Sequence, residues 1–316
     1  MPYDRPALVS HARQSIRRGS KSFSAASRLF DRQTRERVWL LYAWCRACDD
    51  LADAQDHGHT LGDLTDPEGR LNTIQRLTEL AFAGKPTGNA SFDALGQLAG
   101  ETGITKGMAD DVIAGFALDA ADWRPRTVPD MLRYCYHVAG AVGVMMAVVM
   151  GVDPRDEDTL DRACDLGLAF QLANIARDIW EDDAAGRCYL PVEWLVEADI
   201  PPGEVTKPHY RHALVPMVRR LCAMVTQYEA SARIGASRLA FRQRWAVLSA
   251  AGIYGAIARE VDRLGEHAWD HRIHTTRSQK MGFVAQAFNE SYSQPADARK
   301  PEWSRRELAA LAQQSR

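Results

Sequence analysis

DLGLAFQLANIARDIWEDDAAGRCYLP, Asp165 to Pro191, is a helical sequence with an unusual polar row. At about 100° per residue, Gln171, Asn174, Asp178 and Asp182 fall at roughly 0°, −60°, −20° and +20°, a stripe about 80° wide. Leu166, Leu168, Phe170, Leu172, Ile175, Ile179 and Trp180 cover most of the remaining circumference, so the helix is expected to be packed on several sides with its polar row turned inward. Ala184-Ala185-Gly186 offers an exit from that helix and Pro191 a new start, which places Arg187 and Tyr189 on a short lid between them.

Two carboxylates one turn apart on an inward face repel each other and lose hydration, a cost that cations remove. Asp and Asn oxygens without neighbouring Cys or His suit Mg²⁺, with Mn²⁺ as a substitute, and Mg²⁺ commonly completes its octahedron with water and substrate phosphate. A single DxxxD is most simply a solvated helix face. The segment WLLYAWCRACDDLAD repeats the arrangement: Asp49 and Asp53 are one turn apart, Arg46 lies one turn before Asp49, and Trp39, Leu40, Leu41, Tyr42, Trp44 and Leu51 make the segment strongly apolar. Facing each other across a cavity, the two pairs would hold a small Mg²⁺ cluster, and the cluster would hold diphosphates. That is the chemistry of allylic diphosphate ionisation, in which metal stabilises the departing charge without proton transfer.

The rest of the chain is consistent with one all-α catalytic domain. Its 316 residues are 46% hydrophobic and 25% charged, ordinary for a globular protein. A net charge of −2 provides no general attraction to nucleic acid, and none is expected as a partner. Helical periods recur along the chain with no alternating strand pattern, and His57 to Pro67, Gly84 to Gly88 and Asp122 to Pro129 read as connections. Thr127 and Asp130 have capping spacing, as do Ser304 and Glu307 before a short, weakly anchored final helix. The catalytic domain is expected over residues 1–291 and a dispensable polar tail over 292–316. Six scattered Cys form no disulfide framework, so the expected compartment is the reducing cytoplasm, and Cys45 with Cys48 reads as packing. Val138 to Val152 is apolar but shorter than a bilayer span, hence a core helix. Within it Gly140, Gly143 and Ala147 make a smooth face, read first as helix packing, while Tyr134, Val138 and Ala141 share the opposite face. His137 reads as a packed histidine.

The segments SKSF (Ser20 to Phe23), CRACDDLAD (Cys45 to Asp53), YCYHVAGAVG (Tyr134 to Gly143) and QLANIARDIWEDDAAGRCYLP (Gln171 to Pro191) resemble those of the squalene/phytoene synthase family, particularly its bacterial phytoene-synthase branch. The resemblance runs from about Ser20 to Lys280. It implies an isoprenoid-synthase-type helical bundle around a central cavity and head-to-head condensation of two geranylgeranyl diphosphates. The reaction would pass through a cyclopropyl diphosphate to phytoene, in carotenoid biosynthesis. Condensation of C15 farnesyl diphosphates, or a non-catalytic assembly role for the same fold, are the alternatives. The motif match assigns Asp49, Asp53, Asp178 and Asp182 to Mg²⁺-diphosphate binding, with Asn174 as a further metal ligand and Gln171 beside it. Arg46, Tyr134, Arg187 and Tyr189 match positions around the diphosphates and reacting carbons, and Ser20 and Ser22 contribute substrate contacts from SKSF. Tyr254 and Arg272, with Arg277 and Lys280 nearby, are expected to close the cavity from the C-terminal side. Two positions depart from the pattern: Ala54, where the first motif often has another acid, and Gly19, where some relatives have His.

No Gly-rich dinucleotide motif follows a strand, so no NADPH is expected. An apolar product implies peripheral contact with the inner face of the membrane. Ser24, Ala25, Ala26 and Ser27 are small enough to leave a slot for a C20 chain if the helix begun at SKSF continues past them.

Overall fold

The computed structural model describes residues 4–53, 55–56, 59–60, 66–121 and 123–311, with the side chains of residues 21, 22, 25, 55, 56, 59 and 60 excepted. Most of the 57–67 connection, Ala54, Asp122 and the Ser22 side chain therefore lie outside the described residues. The fold is all-α; the described strand structure is one antiparallel pair, Gln55–Asp56 with His59–Thr60. Two compact units divide the chain: Met1–Ala121 with Val144–Glu157, and Asp122–Gly143 with Asp158–Arg316. Residues 292–311, expected as part of a polar tail, fall in the second unit.

In the first unit α1 (Arg5–Gly19), α2 (Lys21–Ala26), α3 (Arg32–Ala52), α4 (Pro67–Phe82), α5 (Ala90–Glu101) and α6 (Lys106–Ala120) follow in order. The centre is α3. Asp31 caps it by accepting the Thr34 N–H at 2.9 Å, and it buries Val38, Leu40, Leu41, Ala43, Trp44 and Cys48 against helices that include α1, α4 and α5. Ion pairs from Arg5 to Glu36 and Glu101, at 2.6 and 2.5 Å, and from Arg37 to Glu101 tie α1, α3 and α5 together.

The second unit begins with α7 (Val128–Cys135), capped by Thr127, which accepts the Asp130 N–H. A π-helical turn, Tyr136–Gly140, leads into α8 (Ala141–Val149), which crosses the division between the units. Val128–Val149 is long and apolar enough to cross a bilayer, but 72% of its apolar window is buried in the protein, as a core helix requires. Then come α9 (Glu157–Arg177), α10 (Ile179–Ala184), α11 (Val192–Glu197), α12 (Arg211–Ala236), α13 (Phe241–Leu264), α14 (Arg277–Glu290) and α15 (Arg305–Leu311). The glycine face does pack: a methyl on Gly143 would lie 2.4 Å from the Ala163 carbonyl oxygen, and one on Gly167 would lie 2.3 Å from that of Ala139. The π turn and α9 thus touch backbone to backbone, an approach that side chains would prevent.

The polar tail is anchored, contrary to the sequence expectation. Ser304 and Glu307 cap α15 reciprocally, Leu308 is fully buried, and Lys300 and Arg305 reach Asp161 at 3.1 and 3.4 Å. Charge pairing and one apolar anchor hold a segment whose composition resembles a loose end.

Candidate active site

The first acidic pair occupies the last turn of α3. Asp53 is the capping residue, its N–H bonding to the Asp49 carbonyl at 2.9 Å. Carboxylates here stand at the negative end of the helix dipole, with no basic residue in that turn to offset them. Solvent reaches Asp49, yet protein mass around it lifts its carboxyl toward about 7. Desolvation leads; Arg46 opposes it, and Asp53, Asp50 and Asp119 of α6 reinforce it. Arg46, one turn before Asp49 in the sequence, donates to Asp50 at 2.6 Å, an i,i+4 pair. Its Nε is buried without a hydrogen-bond partner, a donor suited to an anionic oxygen.

Ser20 caps α2, its Oγ accepting the Phe23 N–H at 3.2 Å. A side chain on Gly19 would meet the Tyr42 hydroxyl at 2.3 Å, so the space beside this departure from the family pattern is taken by Tyr42. Ser27 does not line a slot. The helix stops at Ala26, Ser27 begins a 3₁₀ turn, and its fully buried Oγ donates to the Ser24 carbonyl at 2.8 Å and accepts the Trp39 indole N–H at 3.0 Å. Cys45 and Cys48 are free thiols, held far from ionising by burial; their packing reading stands.

The second pair lies at the junction of α9 and α10. The expected continuous helix through Asp182 is interrupted: Asp178 has φ −99°, ψ 18° and begins α10. The Ala176 carbonyl, in the last turn of α9, accepts the Trp269 indole N–H at 3.0 Å, a tertiary bond that supports the break. Asp178 N–H still bonds to the Asn174 carbonyl and Asp182 N–H to the Asp178 carbonyl, each at 2.8 Å, so the acidic residues remain one turn apart. Gln171, Asn174, Asp178 and Asp182 are all half-buried, while Leu172, Ala173, Ile175, Ala176 and Ile179 between them are buried.

Arg177 grips Asp178 with two bonds of 2.7 and 2.5 Å, and Arg272 reaches the same carboxylate at 3.1 Å. Burial pushes the Asp178 carboxyl up, but these guanidinium groups prevail and hold it below its usual range. Asp182 is lifted to about 6, by burial first and then by Asp178, with Arg187 opposing. Arg187 is exposed and Tyr189 buried. Their lid is fixed: Gly186 takes φ +75°, Arg187 N–H returns to the Asp182 carbonyl at 2.8 Å, and Arg124 donates to the Gly186 carbonyl. Val192 and Glu193 N–H groups then bond to the carbonyls of Pro125 and Arg126, each at 3.0 Å.

Tyr134 stacks on Tyr189 at 4.7 Å, and Phe170 on Tyr254 at 4.1 Å. Arg272 also lines a cleft of about 450 Å³ with Arg259, Arg263, His271 and His274. Sequence reasoning missed Arg177, Asp50 and Asp119; Arg177 directly precedes Asp178, and the i,i+4 offset of Asp50 from Arg46 was available as a signal.

The donors fit a hard cation shared with a phosphorylated ligand. Among the described residues no three His, Cys, Asp or Glu side chains form a ready metal cage. Paired carboxylates beside several arginines instead match a metal that takes its remaining ligands from water and phosphate.

With fold and site in view, the family is clear: residues 16–279 match the squalene/phytoene synthase family model, and the chain belongs to that family. Among its relatives, the phytoene synthase of Pseudescherichia vulneris is 46% identical over 284 residues, spanning 89% of this chain and 91% of that protein. The 15-cis-phytoene synthase of Pantoea ananas is 43% identical, spanning 94% and 96%. A dehydrosqualene synthase crystal structure superposes with a TM-score of 0.79 at 24% identity, covering 90% of this chain and 96% of that one, which is agreement in fold.

Proposed function

We propose that this chain joins two C20 prenyl diphosphates head to head, through a cyclopropyl diphosphate, to give phytoene with release of two diphosphates. The carrying observation is the half-buried Asp178–Asp182 pair set among Arg177, Arg187 and Arg272, anionic and cationic groups that together suit a metal-diphosphate. Identity of 43–46% to phytoene synthases supports the C20 substrate.

Bound Mg²⁺ would supply charge stabilisation for the departing diphosphate. Asp49, Asp53, Asp178, Asp182 and Asn174 are the residues that would hold it. Arg272 exchanges Asp178 for a diphosphate oxygen as the ligand arrives, while Arg177 keeps the carboxylate oriented. Arg46 and Arg187 add donors to the diphosphates, and Ser20 and Gln171 contribute polar contacts; Ser22 belongs to the same set by motif. The Tyr134, Tyr189, Phe170 and Tyr254 rings provide apolar surface that excludes water from carbocations. No proton transfer by these residues is needed for ionisation.

Purified protein given C20 or C15 diphosphate with Mg²⁺ and no reductant should form phytoene from C20, and EDTA should abolish turnover. A faster C15 reaction yielding a C30 product, turnover unaffected by EDTA, or turnover that requires NADPH would overturn the reading. The same proposal places the enzyme on the cytoplasmic membrane face for product release. The partly exposed Phe241 and Phe288 and the exposed Tyr292, in mutual ring contact, support lipid contact, and flotation with anionic and neutral vesicles tests it.

A further inference from the structure

Tyr134 is held from behind by a connected set of side chains that ends in the C-terminal helix. Its ring stacks on Trp123 at 6.0 Å with the planes 19° apart, as well as on Tyr189. The indole of Trp123 lies 5.1 Å from the guanidinium carbon of Arg133. Arg133 is 4% exposed, and a cation so buried needs electron-rich neighbours. Besides the indole it has the carbonyl of Leu311, to which it donates at 3.3 Å. That carbonyl belongs to α15.

The helix is set in place by groups remote from Tyr134. Leu308 is fully buried, and Lys300 and Arg305 pair with Asp161 on α9. Contacts therefore run without a gap from α15 through Arg133 and Trp123 to Tyr134 and Tyr189. Neither Trp123 nor α15 belongs to the family motifs that carry the acidic pairs.

We propose that Trp123 is a positioning residue for Tyr134, and that α15 acts through Arg133 to hold Trp123 in place. This rests on the proposed role of Tyr134 in the condensation. Trp123 is only half-buried, so its replacement leaves the helical core intact.

Misplacement of a group near the reacting carbons acts on the chemical step, so Trp123→Leu should lower kcat by about tenfold with KM changed by less than about twofold. Trp123→Phe, which keeps a ring, should recover most of that loss. Leu308→Ala should lower kcat in the wild-type background and have little further effect in the Trp123→Leu background, because both changes act through one path. Wild-type kcat in Trp123→Leu, no recovery in Trp123→Phe, or full additivity in the double variant would overturn the proposal. The wild-type control with C15 and C20 substrates tests the functional reading separately, since Trp123 can be assayed on whichever substrate is consumed. A readout without turnover is near-ultraviolet circular dichroism. Trp123→Leu and Leu308→Ala should weaken the same aromatic band; a Leu308→Ala spectrum identical to wild type, with far-ultraviolet spectra unchanged, would sever α15 from the stack.

Discussion

Replacing Gly167 by Ala tests whether backbone contact between α9 and the π turn sets the geometry of the second unit. The added methyl would lie 2.3 Å from the Ala139 carbonyl oxygen, 2.6 Å from its carbon and 2.7 Å from Gly140 Cα. All three are backbone atoms, so no side-chain rotation relieves the overlap, and the elements must part by about 1 Å to reach ordinary contact. Overpacking costs about 1–3 kcal/mol, and Ala recovers about 1 kcal/mol through helix propensity. Rigid neighbours put the cost at the upper end, leaving a net loss of about 2 kcal/mol. The displacement is expected to reach the candidate site because Tyr134 leads into the π turn, while Asn174 lies in the last turn of α9 and Asp178 directly follows it. A shift of that size lowers turnover by about 100-fold. Gly100→Ala is the control: it lies in α5, and a methyl there meets nothing within 4 Å, so stability should rise by about 0.5–1 kcal/mol. Urea unfolding followed by circular dichroism, with steady-state rates, makes the comparison. Equal stability changes in the two variants, with Gly167→Ala turnover within about twofold of wild type, would refute the reasoning.

Asp178→Asn and Asp49→Asn should each reduce turnover by about 100-fold or more but part company in stability. Asp178→Asn loses charged hydrogen bonds to Arg177 and Arg272 and should unfold about 1–3 kcal/mol more easily in EDTA, whereas Asp49→Asn relieves carboxylate repulsion and should be no less stable; urea titrations at pH 8 decide. Buried Asp165, whose carboxyl accepts the Ser231 hydroxyl at 2.5 Å, is lifted to about 7, by burial above all, with Asp161 adding to it and Ser231, Arg162 and Lys300 opposing. The native state therefore binds the proton more tightly than the unfolded chain, and its contribution to stability is fullest below about pH 4 and falls as pH rises through about 7, by at most about 4 kcal/mol. Asp165→Asn should flatten that part of the stability profile, and an unchanged slope between pH 5 and 8 would exclude Asp165 as its source. Ser27→Phe should destabilise by about 3 kcal/mol or more, through overpacking and two lost hydrogen bonds, with the C15 to C20 rate ratio unchanged; a selective loss of C20 use in a stable protein would restore the slot.

Much of this protein could be read without coordinates because its informative signals are local. The periods of α3 and α9, the one-turn spacing of the acidic residues, the Thr127 and Ser304 caps, the Gly186 exit and the Pro191 restart depend on residues within a few positions of one another. The same locality explains why Gly140 and Gly143 could be assigned to packing before their neighbours were known. What remained hidden required partners far along the chain. Helix periodicity cannot report the break at Asp178, where Trp269 bonds to α9 from 93 residues away. Composition likewise makes residues 292–311 look dispensable, since the acid that receives Lys300 is Asp161. Small residues at Ser24–Ser27 promise space, but Trp39 closes over Ser27. Sequence thus pointed to the family and marked two acidic pairs, each one turn apart, as the candidates for its chemistry. Tertiary structure decided which guanidinium neutralises which carboxylate, where the π turn meets α9, and how α15 anchors the aromatic stack, because burial and charge pairing depend on neighbours that folding alone brings together.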